Sequence, residues 1–308
     1  MASPQAEMLR ASLWQMRNSA EGDRLPSVKE MRSLNALMES LGSEPIGVRF
    51  KNTDVEGIPA MWVEPEIEFD DRVLLFLHGG GYVFGSMHSH RKLVGHIAKS
   101  IGCRALNLEY RLAPEHPFPA AVEDATKAYV WILEKGIKPN HIALAGDSAG
   151  GGLCLACLSD ILSKDYPIPS AIVLLSPWTD LALTGDSISS CDCVDPINTL
   201  PFMHLCAELY LAGRDPRSQL ASPLYGSFEH LPPLYIQVGE YETLRDDSIR
   251  FADNARSISN EVHLDVFPEM FHEFQLAVGN MPEADDAVER IGKWLRTRLN
   301  IPFKNPNV

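Results

Sequence analysis

The sequence predicts an α/β fold in which a mostly parallel central sheet of about eight strands is flanked by helices. Short apolar runs rich in β-branched residues recur along the chain, and from the third run onward they alternate with segments of helical periodicity. Such alternation is typical of crossover units, in which each helix connects two parallel strands. With 308 residues, 45% of them hydrophobic, the chain can form one large core with an insertion.

The predicted elements follow from these runs and periods. Strands are expected where apolar residues are bounded by turn residues, at 46–50, 58–63, 73–77, 103–108, 141–145, 171–175, 234–238 and 262–267. Helices are expected where the 3.6-residue period holds, at 90–100, 119–135, 150–163, 244–259 and 283–299.

Two stretches do not fit the alternation. Residues 1–45 contain two helical patterns, and residues 184–225 contain one helix near 200–211. Connections longer than roughly 12 to 15 residues are usually functional. We therefore expect 1–45 and 184–225 to form a helical cap, and 46–183 with 226–308 to form the α/β domain.

Charge and hydropathy exclude several classes of function. The chain has 41 acidic and 27 basic residues, a net charge of -14, and lacks a basic cluster that could follow a phosphate backbone. Nucleic acid is therefore not an expected partner. The first residues have the wrong pattern for a signal peptide, and no run approaches the roughly 18 apolar residues of a membrane span. We expect a cytoplasmic protein without stable membrane association.

The six cysteines do not form a disulfide framework in a chain of this size. Cys154 and Cys157 have the CxxC spacing of redox and metal sites, but they lie within an apolar helical stretch and not at a strand-to-helix turn. Small apolar thiols suit helix packing, so buried free thiols are predicted here. Neither a metal site nor a cofactor is predicted.

The string GDSAG at 146–150 is a GxSxG between a predicted strand and a predicted helix. A strand-to-helix elbow holds the serine in a strained turn, where its Oγ is exposed at the carboxyl edge of the sheet. The helix N-terminus adds positive partial charge at the same place. This context favours Ser148 as a nucleophile over a plain glycine-rich turn.

A second string, HGGGY at 78–82, follows the predicted strand 73–77. Consecutive glycines allow backbone N–H groups to face an oxygen that becomes an anion when a carbonyl is attacked. Gly80, Gly81 and Ala149 are the expected donors of this oxyanion hole. The alternative is a phosphate-binding loop, but neither GxxxxGK[ST] nor GxGxxG is present here.

A serine nucleophile needs a base, and the base needs an orienting carboxylate. His272 lies in the loop after the last predicted strand, beside Phe271 and Phe274, which is where this fold places the base. The acid must come from a group of four carboxylates after strand 234–238. These are Glu240, Glu242, Asp246 and Asp247. A helix is predicted to start here, and carboxylates at a helix start interact favourably with the helix dipole, which would account for most of the four without a catalytic role.

Together the motifs resemble the hormone-sensitive lipase-like family of α/β-hydrolases, the family IV bacterial-type esterases. The matching strings are HGGGY at 78–82, EYRLAPEHPFPA at 109–120, GDSAGGG at 146–152, SPWTD at 176–180 and HEF at 272–274. The resemblance implies an α/β-hydrolase fold with a cap, and carboxylesterase activity on short-chain esters without a cofactor. Hydrolysis of amides or formamides by the same groups stays open, as does a non-catalytic role in binding small molecules.

The resemblance also assigns individual residues. Its acid pattern falls on Gly239, Glu242, Leu244 and Asp246, with Glu242 where the family more often has Asp. A longer carboxylate can still reach the imidazole, so Glu242 is the predicted acid and Asp246 the alternative. Arg111 and Glu115 are expected to brace the loops, and Asp147 to be a structural hydrogen-bonding partner within the elbow. Similar proteins pair through the edge of the sheet, which suggests a homodimer.

Overall fold

The computed structural model describes residues 1–19, 24–66, 69, 71–257 and 261–302. Eight strands among these residues form one sheet: β1 Val48–Val55, β2 Ile58–Pro65, β3 Val73–Leu77, β4 Arg104–Leu108, β5 Ile142–Asp147, β6 Ala171–Leu175, β7 Leu234–Gly239 and β8 Val262–Phe267. Their order is β1-β2-β4-β3-β5-β6-β7-β8. Only β2 runs against its neighbours, β1 and β4. The predicted mostly parallel sheet is confirmed.

Strand β1 differs most from its prediction. It begins later than 46 and continues beyond 50, pairing with β2 from Val48 opposite Pro65 to Val55 opposite Ile58. Glu56 and Gly57 both have positive φ and close a two-residue turn whose twist suits a hairpin. The second half of β1 was missed because this edge strand is largely exposed, so its polar residues give no apolar run.

The described residues include ten α-helices: α1 Pro4–Ser19, α2 Val28–Ser33, α3 Asn35–Leu41, α4 Arg91–Ile101, α5 Ala120–Glu134, α6 Ala149–Ser163, α7 Ser187–Ser190, α8 Leu200–Leu211, α9 Arg245–Arg256 and α10 Pro282–Arg298. The second predicted pattern near the N-terminus is divided into α2 and α3 at Leu34. Residues 258 and 259 of the predicted helix 244–259 lie outside the described residues, as do 20–23, 67, 68, 70, 260 and 303–308 of the predicted domains.

The buried central strands of the sheet bring several loops together at one edge. Strands β3, β5, β6 and β7 are buried along their whole length, as expected for strands covered on both faces. Helices α4 and α10 pack together, and so do α5 and α6. Because parallel strands end at the same edge, the loops that follow β3, β5, β7 and β8 meet there.

The two stretches outside the alternation contact each other and the loop after β3. Arg17 of α1 donates to the carbonyl oxygen of Asp192 at 3.0 Å. Arg32 of α2 donates to the carbonyl oxygen of Val83 at 3.1 Å. The ring of Tyr210 in α8 stacks on Tyr82 with centroids 3.8 Å apart. No helix of the described part of the chain combines the length and apolar character needed to cross a membrane.

Candidate active site

The loop between β5 and α6 forms a tight elbow with Ser148 at its turn. Ser148 has φ 49° and ψ -119°, a conformation that is costly for any residue with a side chain. Its N–H donates to the carbonyl oxygen of Leu175 at 2.8 Å. Gly150 allows the close approach of the neighbouring strand β3, since a Cβ at this position would lie 2.0 Å from the carbonyl oxygen of Leu77. The strained serine is therefore held by its surroundings.

Three side chains from separate loops meet at this elbow. Nε2 of His272 lies 3.0 Å from Oγ of Ser148, and Nδ1 of His272 lies 2.7 Å from Oε2 of Glu242. All three side chains are buried, with Ser148 6% exposed. With its ring proton on Nδ1, His272 donates to Glu242 and accepts the serine hydroxyl at Nε2. This is the order of contacts that proton transfer from a serine requires.

Glu242 is fixed by contacts at both of its oxygens. Its Oε1 accepts a hydrogen bond from Oγ of Ser176 at 2.9 Å and another from the N–H of Gly239. Its Oε2 is left for His272. Burial raises the pKa of Glu242, although the hydrogen bond and charge of His272 oppose that rise. These partners hold the longer glutamate side chain in one orientation.

The other three carboxylates of the acidic group have different partners. Oδ2 of Asp246 accepts from the N–H of Ser187 at 2.8 Å, and Oε2 of Glu240 accepts from the N–H of Glu269 at 2.9 Å. Oδ2 of Asp247 accepts from the N–H groups of residues 179 and 180, each at 2.8 Å. The structure thus brings Glu242, and not Asp246, to the imidazole of His272.

The protonation of His272 depends on its neighbours. Burial lowers the pKa of its imidazole, but the negative charge of Glu273 and the hydrogen bond and charge of Glu242 outweigh it and raise the pKa to about 9. A raised pKa stabilises the imidazolium that forms when the ring accepts a proton. The ring is therefore a stronger base than a free imidazole, and it acts as one only in its neutral form, above its pKa.

The glycine loop after β3 faces the same serine. Gly80 and Gly81 have φ of 112° and 58°, and both line the pocket that contains Ser148. A Cβ at Gly80 would lie 2.3 Å from the carbonyl oxygen of Phe84, so only glycine fits this turn. Ala149 is the first residue of α6, where backbone N–H groups have no intrahelical acceptor. Of the three predicted oxyanion donors, Gly80 and Gly81 thus line the pocket of Ser148, and Ala149 follows Ser148 in the chain.

A small pocket opens above Ser148, with about 40 Å³ of free volume. Its lining combines the site with apolar side chains from α8 and the loops: Gly80, Gly81, Phe84, Ser148, Trp178, Ile197, Asn198, Phe202, Met203, Cys206, Leu244, His272 and Glu273. A cavity of this volume has room for only a few atoms, because a single water already needs roughly 10 to 15 Å³. Helix α8, from the second unassigned stretch, forms much of the apolar wall.

The six cysteines are free thiols, and five of them are buried. Cys154 and Cys157 lie inside α6, as the apolar character of that segment predicts. Burial raises the pKa of both thiols, which disfavours the reactive thiolate. Cys206 instead faces Gly81, and its Sγ would lie 2.9 Å from a Cβ at that glycine.

Asp147 is buried beside the elbow, but its side chain reaches beyond it. Its Oδ2 lies 2.9 Å from Nε2 of His90, and its carboxyl group also contacts the carboxyl group of Glu273. The ligand atoms of His90, Asp147 and Glu273 lie within 4.8 Å of one another, a spacing that could hold a cation. A proton shared by the two carboxyl groups balances their charge equally well.

The bracing expected of the EYRLAPEHPFPA segment is present. Nη2 of Arg111 lies 2.8 Å from Oδ1 of Asp124. Glu115 makes two hydrogen bonds with Arg32 of α2, at 2.9 and 2.6 Å. This segment therefore connects α5 and α2 to the loops around the site without reaching Ser148.

Ser176 and Glu273 are not among the predicted site residues, although they lie in the motifs SPWTD and HEF. Ser176 begins SPWTD and holds Glu242, while Glu273 is the middle residue of HEF and lines the pocket. Asp195 was also missed, and its Oδ2 accepts from the N–H of Thr243, next to the acid, at 2.9 Å. No local pattern marks these residues, because each acts through a partner distant in sequence.

Fold and site together define an α/β-hydrolase with a serine, histidine and carboxylate in contact. Comparison with known proteins agrees: a family model described as alpha/beta hydrolase fold matches residues 74–276. An acetyl-hydrolase of Streptomyces hygroscopicus is 40% identical over 300 residues, which are 96% of this chain and 98% of that protein. An ethyl acetate hydrolase of Pseudomonas putida is 31% identical over 235 residues, 73% of each chain.

Similarity to solved structures identifies the family within the α/β-hydrolases. An esterase from the bacterial hormone-sensitive lipase family superposes with a TM-score of 0.92 at 40% identity, covering 97% of this chain and 99% of that one. The chain therefore belongs to the hormone-sensitive lipase-like family of α/β-hydrolases, as its motifs predict. It is an enzyme of the carboxylic ester hydrolase class.

Proposed function

We propose that this enzyme hydrolyses short-chain carboxylic esters through Ser148, His272 and Glu242, with a covalent acyl-enzyme intermediate. The observation that carries the proposal is the continuous hydrogen-bonded series of the three side chains, at 3.0 and 2.7 Å. A serine hydroxyl is a weak nucleophile alone, and this arrangement supplies the base and the carboxylate that activate it.

In the first step, Oγ of Ser148 attacks the ester carbonyl as its proton moves to Nε2 of His272. Glu242 accepts a hydrogen bond from Nδ1 and stabilises the resulting imidazolium. The carbonyl oxygen, now an anion, binds the N–H groups of Gly80, Gly81 and Ala149. The imidazolium then protonates the alcohol oxygen, which leaves as the acyl group remains on Ser148.

In the second step, water takes the place of the alcohol. His272 removes one of its protons as the water oxygen bonds to the acyl carbon, and the same N–H groups stabilise the oxyanion. Collapse of this species breaks the bond to Oγ, which recovers its proton from His272. The carboxylic acid leaves, and the enzyme returns to its starting state.

Two observations support a preference for short acyl chains. The pocket above Ser148 has about 40 Å³ of free volume and is lined by Phe202 and Met203 of α8, among others. The names of two relatives, an acetyl-hydrolase and an ethyl acetate hydrolase, refer to the two-carbon acetyl group. We therefore infer that esters from acetyl to hexanoyl are the preferred substrates.

We also propose that α1–α3 and the segment with α7 and α8 form the cap over the site. Three observations support this assignment: α8 lines the pocket, Arg17 of α1 bonds to Asp192 of the other cap segment, and Arg32 of α2 bonds to Val83 in the loop after β3. A cap of this kind excludes water from the acyl pocket and limits the size of the acyl chain that enters.

Hydrolysis of p-nitrophenyl esters with acetyl, butyryl, hexanoyl and dodecanoyl chains tests the proposal. The wild type is expected to be fastest on the short chains, and Ser148→Ala to lose roughly 10⁴-fold or more in turnover. Intact-protein mass after mixing with substrate should show the acyl group on the wild type and not on the variant. Equal turnover by Ser148→Ala would disprove the proposal.

A further inference from the structure

A buried carboxyl group that the proposed triad does not use lines the same pocket. Glu273 is 8% exposed, and its Oε1 lies 3.8 Å from Nε2 of His272. Its backbone has φ 54°, in the left-handed region that is unfavourable for a residue with a side chain. The chain thus maintains a strained backbone at a residue whose carboxyl group faces the histidine.

The carboxyl group of Glu273 lies against a second buried carboxyl group. Its carboxyl group contacts that of Asp147, while Oε1 of Glu273 and Oδ1 of Asp147 have no N–H or hydroxyl donor among the described residues. Two buried carboxylates in contact cannot both be charged at low cost, so the pair retains one proton. Burial and the charge of Asp147 raise the pKa of Glu273 to about 8. At neutral pH the pair therefore carries one proton and one negative charge, and Oε1 of Glu273, which no described donor contacts, can accept a further hydrogen bond.

The location of this group matters in the second half of the reaction. The hydrolytic water must lie within hydrogen-bonding distance of Nε2 of His272, and that position is also within reach of Glu273 because the two atoms are 3.8 Å apart. In the first half, the leaving alcohol oxygen occupies the same position. The alcohol carries a carbon chain where water carries its second hydrogen, so an acceptor here serves water alone.

Building on the proposed function, we propose that Glu273 is a positioning residue for the hydrolytic water. Its carboxyl group accepts one O–H of the water, while the other O–H gives its proton to Nε2 of His272. The water oxygen bonds to the acyl carbon, and the carbonyl electron pair moves to the oxyanion. The bond to Oγ of Ser148 then breaks as Oγ takes the proton from His272. Glu273 and Asp147 keep their shared proton throughout.

Competition between water and methanol tests the proposal. Methanol has one O–H, which His272 must take, so methanol gains nothing from Glu273. With p-nitrophenyl acetate in aqueous methanol, the ratio of acetic acid to methyl acetate is expected to fall about tenfold in Glu273→Leu, the effect of one lost hydrogen bond. Glu273→Gln keeps an acceptor oxygen and can donate to Asp147, so its ratio should stay within about twofold of the wild type.

The product ratio does not depend on the fraction of folded enzyme, so imperfect folding of Glu273→Leu does not obscure it, and Glu273→Ala provides a second variant. Stopped-flow kinetics should show kcat falling in Glu273→Leu while kcat/KM, which reports acylation, is retained. An unchanged ratio in both apolar variants would overturn the proposal, as would an equal fall in Glu273→Gln. Failure of the proposed function looks different, since the wild type would then release no p-nitrophenol.

Discussion

Oε2 of Glu242 lies 2.7 Å from Nδ1 of His272, so a glutamate reaches the imidazole where this family more often has an aspartate. The extra methylene is accommodated because Oε1 is held by Ser176 and by the N–H of Gly239. A carboxylate with one oxygen anchored and the other on the ring orients the imidazole as a shorter acid would.

This relationship predicts which carboxylate the reaction needs. Glu242→Gln should lower kcat by roughly 10³- to 10⁴-fold, because an amide does not stabilise the imidazolium or fix the ring tautomer. Asp246→Asn is the matched control, since Asp246 bonds to Ser187 and does not contact His272. Its kcat on p-nitrophenyl butyrate should remain within about fivefold of the wild type. The reverse ranking would assign the acid to Asp246.

The pH dependence of kcat/KM should report the environment of His272. The ring acts as a base only when neutral, so activity is lost as the pH falls through its pKa. Because Glu273 and Glu242 outweigh burial and raise that pKa to about 9, the acid limb should lie above the ordinary value of 6.5. Glu242→Gln should move the limb of its residual activity to lower pH. A limb at or below 6.5 in the wild type would contradict this expectation.

Acyl-chain preference should depend on Phe202. Its ring lines the pocket and packs near Phe84, with ring centroids 6.0 Å apart. Phe202→Ala enlarges the pocket, so the ratio of kcat/KM for hexanoyl over acetyl p-nitrophenyl esters should rise about five- to tenfold. Leu205→Ala is the matched control, because this partly buried residue of α8 packs on the core and does not line the pocket. A similar ratio in both variants would place the acyl chain elsewhere.

Asp247 should make stability depend on pH. Burial and the charge of Asp180 raise its pKa from 3.8 to about 7. The folded state therefore binds more protons than the unfolded state between these values, and the free energy of unfolding falls as pH rises through this window. In Asp247→Asn, whose amide oxygen can still accept the N–H groups of Thr179 and Asp180, this decline should be smaller by a few kcal/mol.

Urea unfolding at pH 5 and pH 8 measures the effect of Asp247. The control is Asp253→Asn, on the same helix but with its side chain 65% exposed, and it should change with pH as the wild type does. Parallel pH dependence in Asp247→Asn and the wild type would show that the buried carboxyl group does not titrate in this range.

Much of this protein follows from local patterns in its sequence. The order of apolar runs and helical periods predicts the parallel sheet, because burial on both faces makes the central strands predominantly apolar. GDSAG, HGGGY and HEF predict which loops meet, because the carboxyl ends of parallel strands share one edge of the sheet. The family pattern also selects Glu242 among four carboxylates, and that side chain is the one that contacts His272.

The remaining features of the fold and the site depend on contacts between segments that are distant in sequence. The second half of β1 is a strand because a two-residue turn pairs it with β2, although its own residues are largely polar and exposed. Ser176 contacts Glu242, and Asp147 contacts Glu273, across 66 and 126 residues of sequence. Burial changes the pKa of each of these carboxyl groups only once the fold has removed it from water. Their roles therefore depend on tertiary structure, since no local pattern specifies which side chains will share a buried site.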